Sequence, residues 1–279
     1  MKTKTYGCRG SMAFSHIGHS KYGGNTSCMT VESNGKILII DAGSGLKMLS
    51  NEMRKDIPTY PRNLPQDVNI LLSHLHMDHV IGLGMFSPLW LPENNQVRIF
   101  TPSRDERPLN EQVFGVFSPP NWPKCLAETS GAQCIPITAN APFMIDHFTI
   151  TPFVADHPDL TYSFHITDGE KTVVHLLDAE VMHMDEVNYN EMLDFCRGVD
   201  LVVFDAAYSD EDYARHVGWG HSTVKQGVEM ALKCKPKRML FAHFSQSYTD
   251  DQLDSWSEHF ALAPETEFIM AMDGVELNI

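Results

Sequence analysis

The sequence predicts a layered α/β (α+β) sandwich, with mixed sheets carrying helices on their outer faces. Three observations predict it. Short apolar runs of strand length recur from end to end. Segments with apolar residues at three- and four-residue steps fall between some of them. The first half is richer in hairpin signals, whereas the second alternates strand and helix. Hydrophobic residues make up 43% of the 279-residue chain, enough for a sizeable core.

In chain order, "MTVES" and "KILIID" flank Asn34-Gly35, a dipeptide suited to a tight hairpin turn. "LKMLSNEMRK" has helical spacing. "VNILLS" and "VRIFTP" read as buried strands. Residues 102–145, with "PPNWPKCLAETSGAQCIPITANAPF", are rich in Pro, Ala and small polar residues. They read as an excursion from the core, a lid or dimer arm, or else as a surface connection. "TYSFHIT" and "TVVHLLD" form a second hairpin about Asp168-Gly169. "DEVNYNEMLDFCRG" and "HSTVKQGVEMALKCK" read as helices, and "DLVVFDA" and "RMLFAH" as buried strands. "EFIMAM" and "VELNI" about Asp273-Gly274 read as a third hairpin.

The formal net charge is −15, from 21 basic and 36 acidic side chains. Such a chain repels polyanions, so nucleic-acid polymers and anionic membranes are poor partners. A small anion can still bind where a metal supplies positive charge. "MKTKTYGCRGSMAF" has no long apolar stretch of the signal-peptide kind, and no run is long enough to span a bilayer. The six cysteines form no CxxC pair. They read as reduced thiols of a cytoplasmic protein.

"SHLHMDHV" places His74, His76, Asp78 and His79 directly after a strand. Imidazole nitrogen and carboxylate oxygen are ligands for zinc and other divalent ions. In extended chain His74 and His76 point the same way, toward one ion. Asp78 and His79 suit a second, and Asp78 can also cap the helix that follows. If the second hairpin turns at Asp168-Gly169, His157 falls opposite position 180 or so, near Asp178. His243 follows an apolar strand as His74 does. The set is then His74, His76 and His157 on one ion, Asp78, His79 and His243 on the other, and Asp178 bridging. Two such ions depress the pKa of a shared water and clamp phosphoryl or carbonyl oxygens. Zinc suits the histidines, and manganese can occupy the carboxylate-containing site.

"HLHMDH" with His157, Asp178 and His243 resembles the metallo-β-lactamase superfamily in its two-metal form. "GCRGS", "KYGGNTSC", "IIDAGSG" and "DAAYSDEDYARHVGWGHST" resemble its cyclic-nucleotide phosphodiesterase-like subgroup, from residue 6 to about 254. The resemblance implies a four-layer αββα sandwich with the metals at one edge, residues 1–279 as one domain, and a homodimer. "GHST", Gly220 to Thr223, is similar to a motif of ribonuclease Z and class II cyclic-nucleotide phosphodiesterases, where the histidine donates a proton. His221 is thus the candidate acid, needed because phosphodiester cleavage expels a poor leaving group. Asp205 can orient it, and Asp78 completes the catalytic set. Alternatively Ser222 or His221 merely caps the next helix. "YGGNTSC" reads as glycines packed close beneath the site, as a tight turn or as a substrate contact, and Phe117 and Trp122 as residues that stack on a nucleobase or bury an oligomer contact.

The GHST element favours a phosphodiester over a β-lactam or thioester. "HFS" at 243–245 also looks like ribonuclease Z, but the tRNA-gripping arm of that enzyme is replaced by a short hairpin. The resemblance, with the net charge of −15, therefore implies hydrolysis of a 3′,5′-cyclic mononucleotide to the 5′-monophosphate. Cyclic pyrimidine nucleotides are included, since phage anti-Pycsar enzymes share the motifs. The alternatives are a ribonuclease Z-like tRNA 3′-processing endonuclease and a low-turnover metal-bound nucleotide sensor.

Overall fold

A computed structural model describes residues 1–53, 67–90 and 96–279. The helix read over 46–55 is present as Leu46–Met53, and its last two residues lie outside the described ones. Fourteen strands are present among the described residues: β1 (Lys2–Gly7), β2 (Cys28–Ser33), β3 (Lys36–Ile40), β4 (Asp67–Leu71), β5 (Gln96–Pro102), β6 (Gln133–Ile137), β7 (Phe143–Ile145), β8 (Phe148–Val154), β9 (Tyr162–Thr167), β10 (Thr172–Leu176), β11 (Leu201–Asp205), β12 (Arg238–Ala242), β13 (Glu267–Met270) and β14 (Glu276–Asn278). They form two seven-stranded sheets, ordered β14-β1-β2-β3-β4-β5-β6 and β13-β12-β11-β10-β9-β8-β7.

Side-chain alternation builds the layers. Leu38 and Ile40 of β3 join the core shared with the second sheet, while Ile39 packs with Leu46 and Leu49 of the helix outside. The helices Glu186–Phe195 and Val224–Cys234 contact each other beside the second sheet. The αββα sandwich inferred from the sequence is therefore the observed fold. Runs β3-β4-β5-β6 and β10-β11-β12-β13 are parallel. Their carboxyl ends open at one rim, where open α/β sheets place their ligands.

The Asn34-Gly35 hairpin forms as expected, with Ser33 opposite Lys36. In the second hairpin Thr167 opposes Thr172 rather than Glu170. Asp168 Oδ1 accepts the N–H groups of Glu170 and Lys171, so the turn takes four residues. Beyond the strands, Glu180 N–H donates to Asp156 C=O at 2.9 Å, which still brings the two segments together.

The third hairpin does not form. β13 pairs with β12 and β14 with β1, so Asp273-Gly274 carries the chain from one sheet to the other. Asp273 is bound in place. It accepts the N–H groups of Cys8 (3.1 Å), Gly24 (3.1 Å) and Asn25 (3.0 Å) and the Asn25 amide (3.0 Å). Burial raises its pKa. A Cβ on Gly23, at φ +96, would come 2.2 Å from the Asp273 carboxyl carbon. "YGGNTSC" is thus packing around Asp273. Asp273→Ala leaves several amides unpaired and is expected to destabilise the fold by about 2–3 kcal/mol, read as a lower urea midpoint.

Residues 102–145 correct another expectation. Rather than leaving the core, they supply the edge strand β6, paired with β5, and β7, paired with β8. Val113, Phe114, Phe117 and Leu126 are buried against the first sheet's helices. Phe117 is 1% exposed and meets Trp122 edge-on at 5.4 Å, so it presents no free face to a base. Proline breaks the regular spacing here, but aromatic burial holds the segment down. Among the described residues no helix is long and apolar enough to cross a membrane.

Candidate metal centre

The rim collects donors from both sheets. After β4 the chain turns through Ser73 into the short helix Met77–Val80. The imidazoles of His74 and His76 come together, centroids 4.4 Å apart, as the two-residue spacing predicts. Asp78 does not cap this helix. His76 occupies the cap position, with no side-chain hydrogen bond, and Asp78 sits in the first turn. There its Oδ2 accepts the Ser11 N–H at 2.7 Å. His157 follows β8, Asp178 follows β10 and His243 follows β12 directly. Asp41, Asp178 and His243 have φ of 57°, 51° and 66°. Such left-handed conformations cost of order 1–3 kcal/mol each and cluster at functional sites.

The donors fall into the two predicted groups. His74, His76 and His157 bring one ligand atom each within 4.8 Å of one another, as do Asp78, His79 and His243. Asp178 lies between them and divides its oxygens. Oδ1 is 3.9 Å from His74 Nε2 and 3.8 Å from His157 Nε2; Oδ2 is 3.0 Å from His79 Nε2 and 3.3 Å from His243 Nε2. Asp78 Oδ2 completes the second group, 3.4 Å from His79 Nε2 and 3.3 Å from His243 Nε2. Two donors held about 2.1 Å from a tetrahedral ion lie roughly 3.4 Å apart, so these spacings suit divalent ions.

Burial and charge point the same way. His74 Nε2 is buried without a hydrogen-bond partner, a costly state that a cation relieves. Burial lowers the pKa values of His74, His76 and His157, which favours the neutral imidazole a metal requires. On the other side burial is overcome. Asp178, Asp78 and Asp41 raise His79, and Asp178, Asp78 and Asp205 push His243 up to about 9. Burial would raise the Asp78 and Asp178 carboxyls too, but the adjoining imidazoles hold both below the carboxylate range. The carboxylates therefore demand positive charge at this point. Histidine and carboxylate donors fit zinc, with manganese suited to the oxygen-containing side.

A second layer, invisible as a motif, fixes the ligands. Asp41, from "IIDAGSG", accepts His79 Nδ1–H at 2.8 Å and the Ser73 N–H at 2.8 Å. The Ser73 hydroxyl lies 3.0 Å from His74 Nδ1, and Thr161 Oγ1 lies 3.0 Å from His157 Nδ1. These contacts leave the Nε2 atoms free for ions. The signal for Asp41 was its place after an apolar strand, the position also held by Asp178 and His243. Asp41→Ala is expected to weaken metal binding about 10–100-fold, measured by chelator competition.

Asp205, at the end of β11, is saturated. Oδ1 accepts the Ser222 (3.0 Å) and Ala207 (3.1 Å) N–H groups; Oδ2 accepts the Asp178 N–H at 3.0 Å and faces His221 Nδ1 at 3.0 Å. Three amides and the His221 ring thus take up both of its oxygens. Thr223, not His221 or Ser222, caps the helix Val224–Cys234 through a reciprocal box with Gln226. His221 is left facing the rim, its side chain 12% exposed.

Fold and site together define a metal-dependent hydrolase. Residues 36–244 match the family described as "Beta-lactamase superfamily domain", and the chain belongs to that family. A ribonuclease Z of Azobacteroides pseudotrichonymphae genomovar. CFP2 is 26% identical over 249 residues, spanning 81% of this chain and 83% of its own. The metallo-beta-lactamase fold protein YhfI from Bacillus subtilis superposes with a TM-score of 0.74 at 21% identity, covering 99% of this chain and 98% of its own. A diphosphatase of the PhnP family gives 0.65 at 18% identity, covering 99% and 96%.

Proposed function

We propose that the chain is a two-metal phosphodiesterase that opens 3′,5′-cyclic mononucleotides, cyclic pyrimidine nucleotides among them, to 5′-monophosphates, as a cytoplasmic homodimer. The observation that carries this reading is His221 beside Asp205 at 3.0 Å, next to the Asp178 carboxylate at 3.9 Å. Hydrolysis of a β-lactam or thioester needs no such acid, whereas expelling a ribose oxygen does.

His74, His76 and His157 would hold one ion, Asp78, His79 and His243 the other, and Asp178 would join them. Bound ions supply positive charge for phosphate oxygens and lower the pKa of water. The chain's own residues do the rest. Asp205 fixes the His221 ring through Nδ1 and faces the charge of the imidazolium. The proton then leaves from Nε2 to the departing 3′ oxygen. His76, with a 45% exposed side chain, stands on the open side, 3.7 Å from Asp159, which Arg104 pairs at 2.9 Å. The four-residue turn between β9 and β10 and the net charge of −15 favour a small substrate over tRNA.

The similarity to ribonuclease Z supports a second reading, tRNA 3′-end cleavage. A substrate panel decides. Protein with zinc or manganese meets cAMP, cGMP, cCMP, cUMP, cyclic dinucleotides and a precursor tRNA. Turnover of a cyclic mononucleotide is the expected result. Cleavage of tRNA alone would sink the proposal, and silence with two metals bound would favour a nucleotide sensor. Light scattering should give twice the 31.4 kDa chain mass.

A further inference from the structure

The loop leading from the helix Asp210–Tyr213 to His221 carries an indole in water: Trp219 is 58% exposed. The loop is nonetheless fixed. Gly218 and Gly220 flank the indole at φ 84° and 85°. Their N–H groups donate to the Glu180 carboxylate at 2.9 and 2.8 Å, and the Tyr213 hydroxyl donates to it at 2.8 Å. Glu180 is fully buried, so a carboxylate two residues from Asp178 is committed to holding this loop. A Cβ on Gly220 would come 2.2 Å from the His157 ring, which places the loop hard against the metal centre.

A ladder of rings then runs from solvent to the candidate acid. Trp219 meets His216 at 4.8 Å and 87°, a T-shaped contact that covers at most one face of the indole. His216 lies flat on Tyr208 at 4.3 Å and 14°, with Nδ1–H donated to Asp212 C=O at 2.7 Å. Tyr208 meets His221 edge-on at 5.7 Å. Leaving a large indole exposed on so heavily braced a loop is not explained by stability, since its burial contributes little there.

We propose that Trp219 is the platform on which the nucleobase of a nucleoside phosphate stacks while the phosphate lies at the His221 side. This rests on the nucleotide reading above. Every base offers a π face, so the platform confers affinity for bases as a class and little choice among them.

Binding tests this apart from turnover. The metal-loaded wild type, Trp219→Ala and Trp219→Phe proteins are titrated with 5′-CMP, 5′-AMP and ribose 5-phosphate, which has sugar and phosphate but no base. The wild type should bind both nucleotides about 10-fold or more tighter than ribose 5-phosphate, with quenching of tryptophan fluorescence. Trp219→Ala should lose that margin and keep its ribose 5-phosphate affinity within about twofold, while Trp219→Phe keeps most of it. No margin in the wild type, or an undiminished margin in Trp219→Ala, overturns the proposal. The wild-type comparison and the phenylalanine variant decide even if the alanine variant folds poorly. A tryptophan-dependent margin without cyclic-nucleotide hydrolysis would uphold the platform and refute the phosphodiesterase reading.

Discussion

Turnover of a cyclic mononucleotide by the His221→Ala protein is expected to fall about 10²–10⁴-fold, with both metal ions retained. The two parts of this expectation separate an acid from a ligand. His221 can be grouped with Asp178, Asp205 and His243 by distance alone, and its ring stacks 5.0 Å from that of His243. Yet Asp205 faces its Nδ1 at 3.0 Å, and in the proposed arrangement each ion would already have three donors plus Asp178 without it. Kinetic analysis with metal content by mass spectrometry checks the point. A drop in kcat at nearly constant KM, with two metals per chain, matches a group that acts in the transition state. Loss of one metal alongside the activity would make His221 a ligand instead.

Asp178→Asn is expected to weaken metal binding roughly 10²–10³-fold, as removal of one partner from a buried charge cluster does. The side chain is buried and its two oxygens serve the two histidine groups separately. An amide keeps the shape but can offer an oxygen to one group only, while its NH₂ turns toward the other. Dialysed protein should therefore hold one ion or fewer. Retention of two ions at wild-type affinity would show that Asp178 does not bridge. The backbone at φ 51° also disfavours a longer replacement that must reach the same point.

The cluster of candidate ligands was legible because its information is local. Four donors after an apolar strand announce themselves, and the period of an extended chain aims His74 and His76 together. His243 was legible as a donor after a buried strand, and His157 and Asp178 as donors that the second hairpin brings together, although its turn is two residues longer than read. The misread elements depend on partners far away in sequence. Asp273-Gly274 specifies a tight turn but says nothing of which sheet the next strand joins, and that choice is made by the amides of Cys8, Gly24 and Asn25. Asp41 and Glu180 each look like single acids in the sequence. Their roles emerge only when folding brings His79 to one and the Gly218–Gly220 amides to the other. Phe117 escaped because a proline-rich stretch carries no period that would reveal a buried face.

The candidate ligands are divided between the sheets: those of the helix Met77–Val80 and the preceding turn hang from the first, and His157, Asp178 and His243 from the second. Ions bound here would act as rivets through the lip of the sandwich. Ligands that bind only the folded state stabilise it by mass action, so the two layers are clasped in proportion to metal supply. Chelation would slacken this lip first and leave the opposite end of the sandwich closed, and amide exchange would rise around the catalytic mouth before it rose in the core.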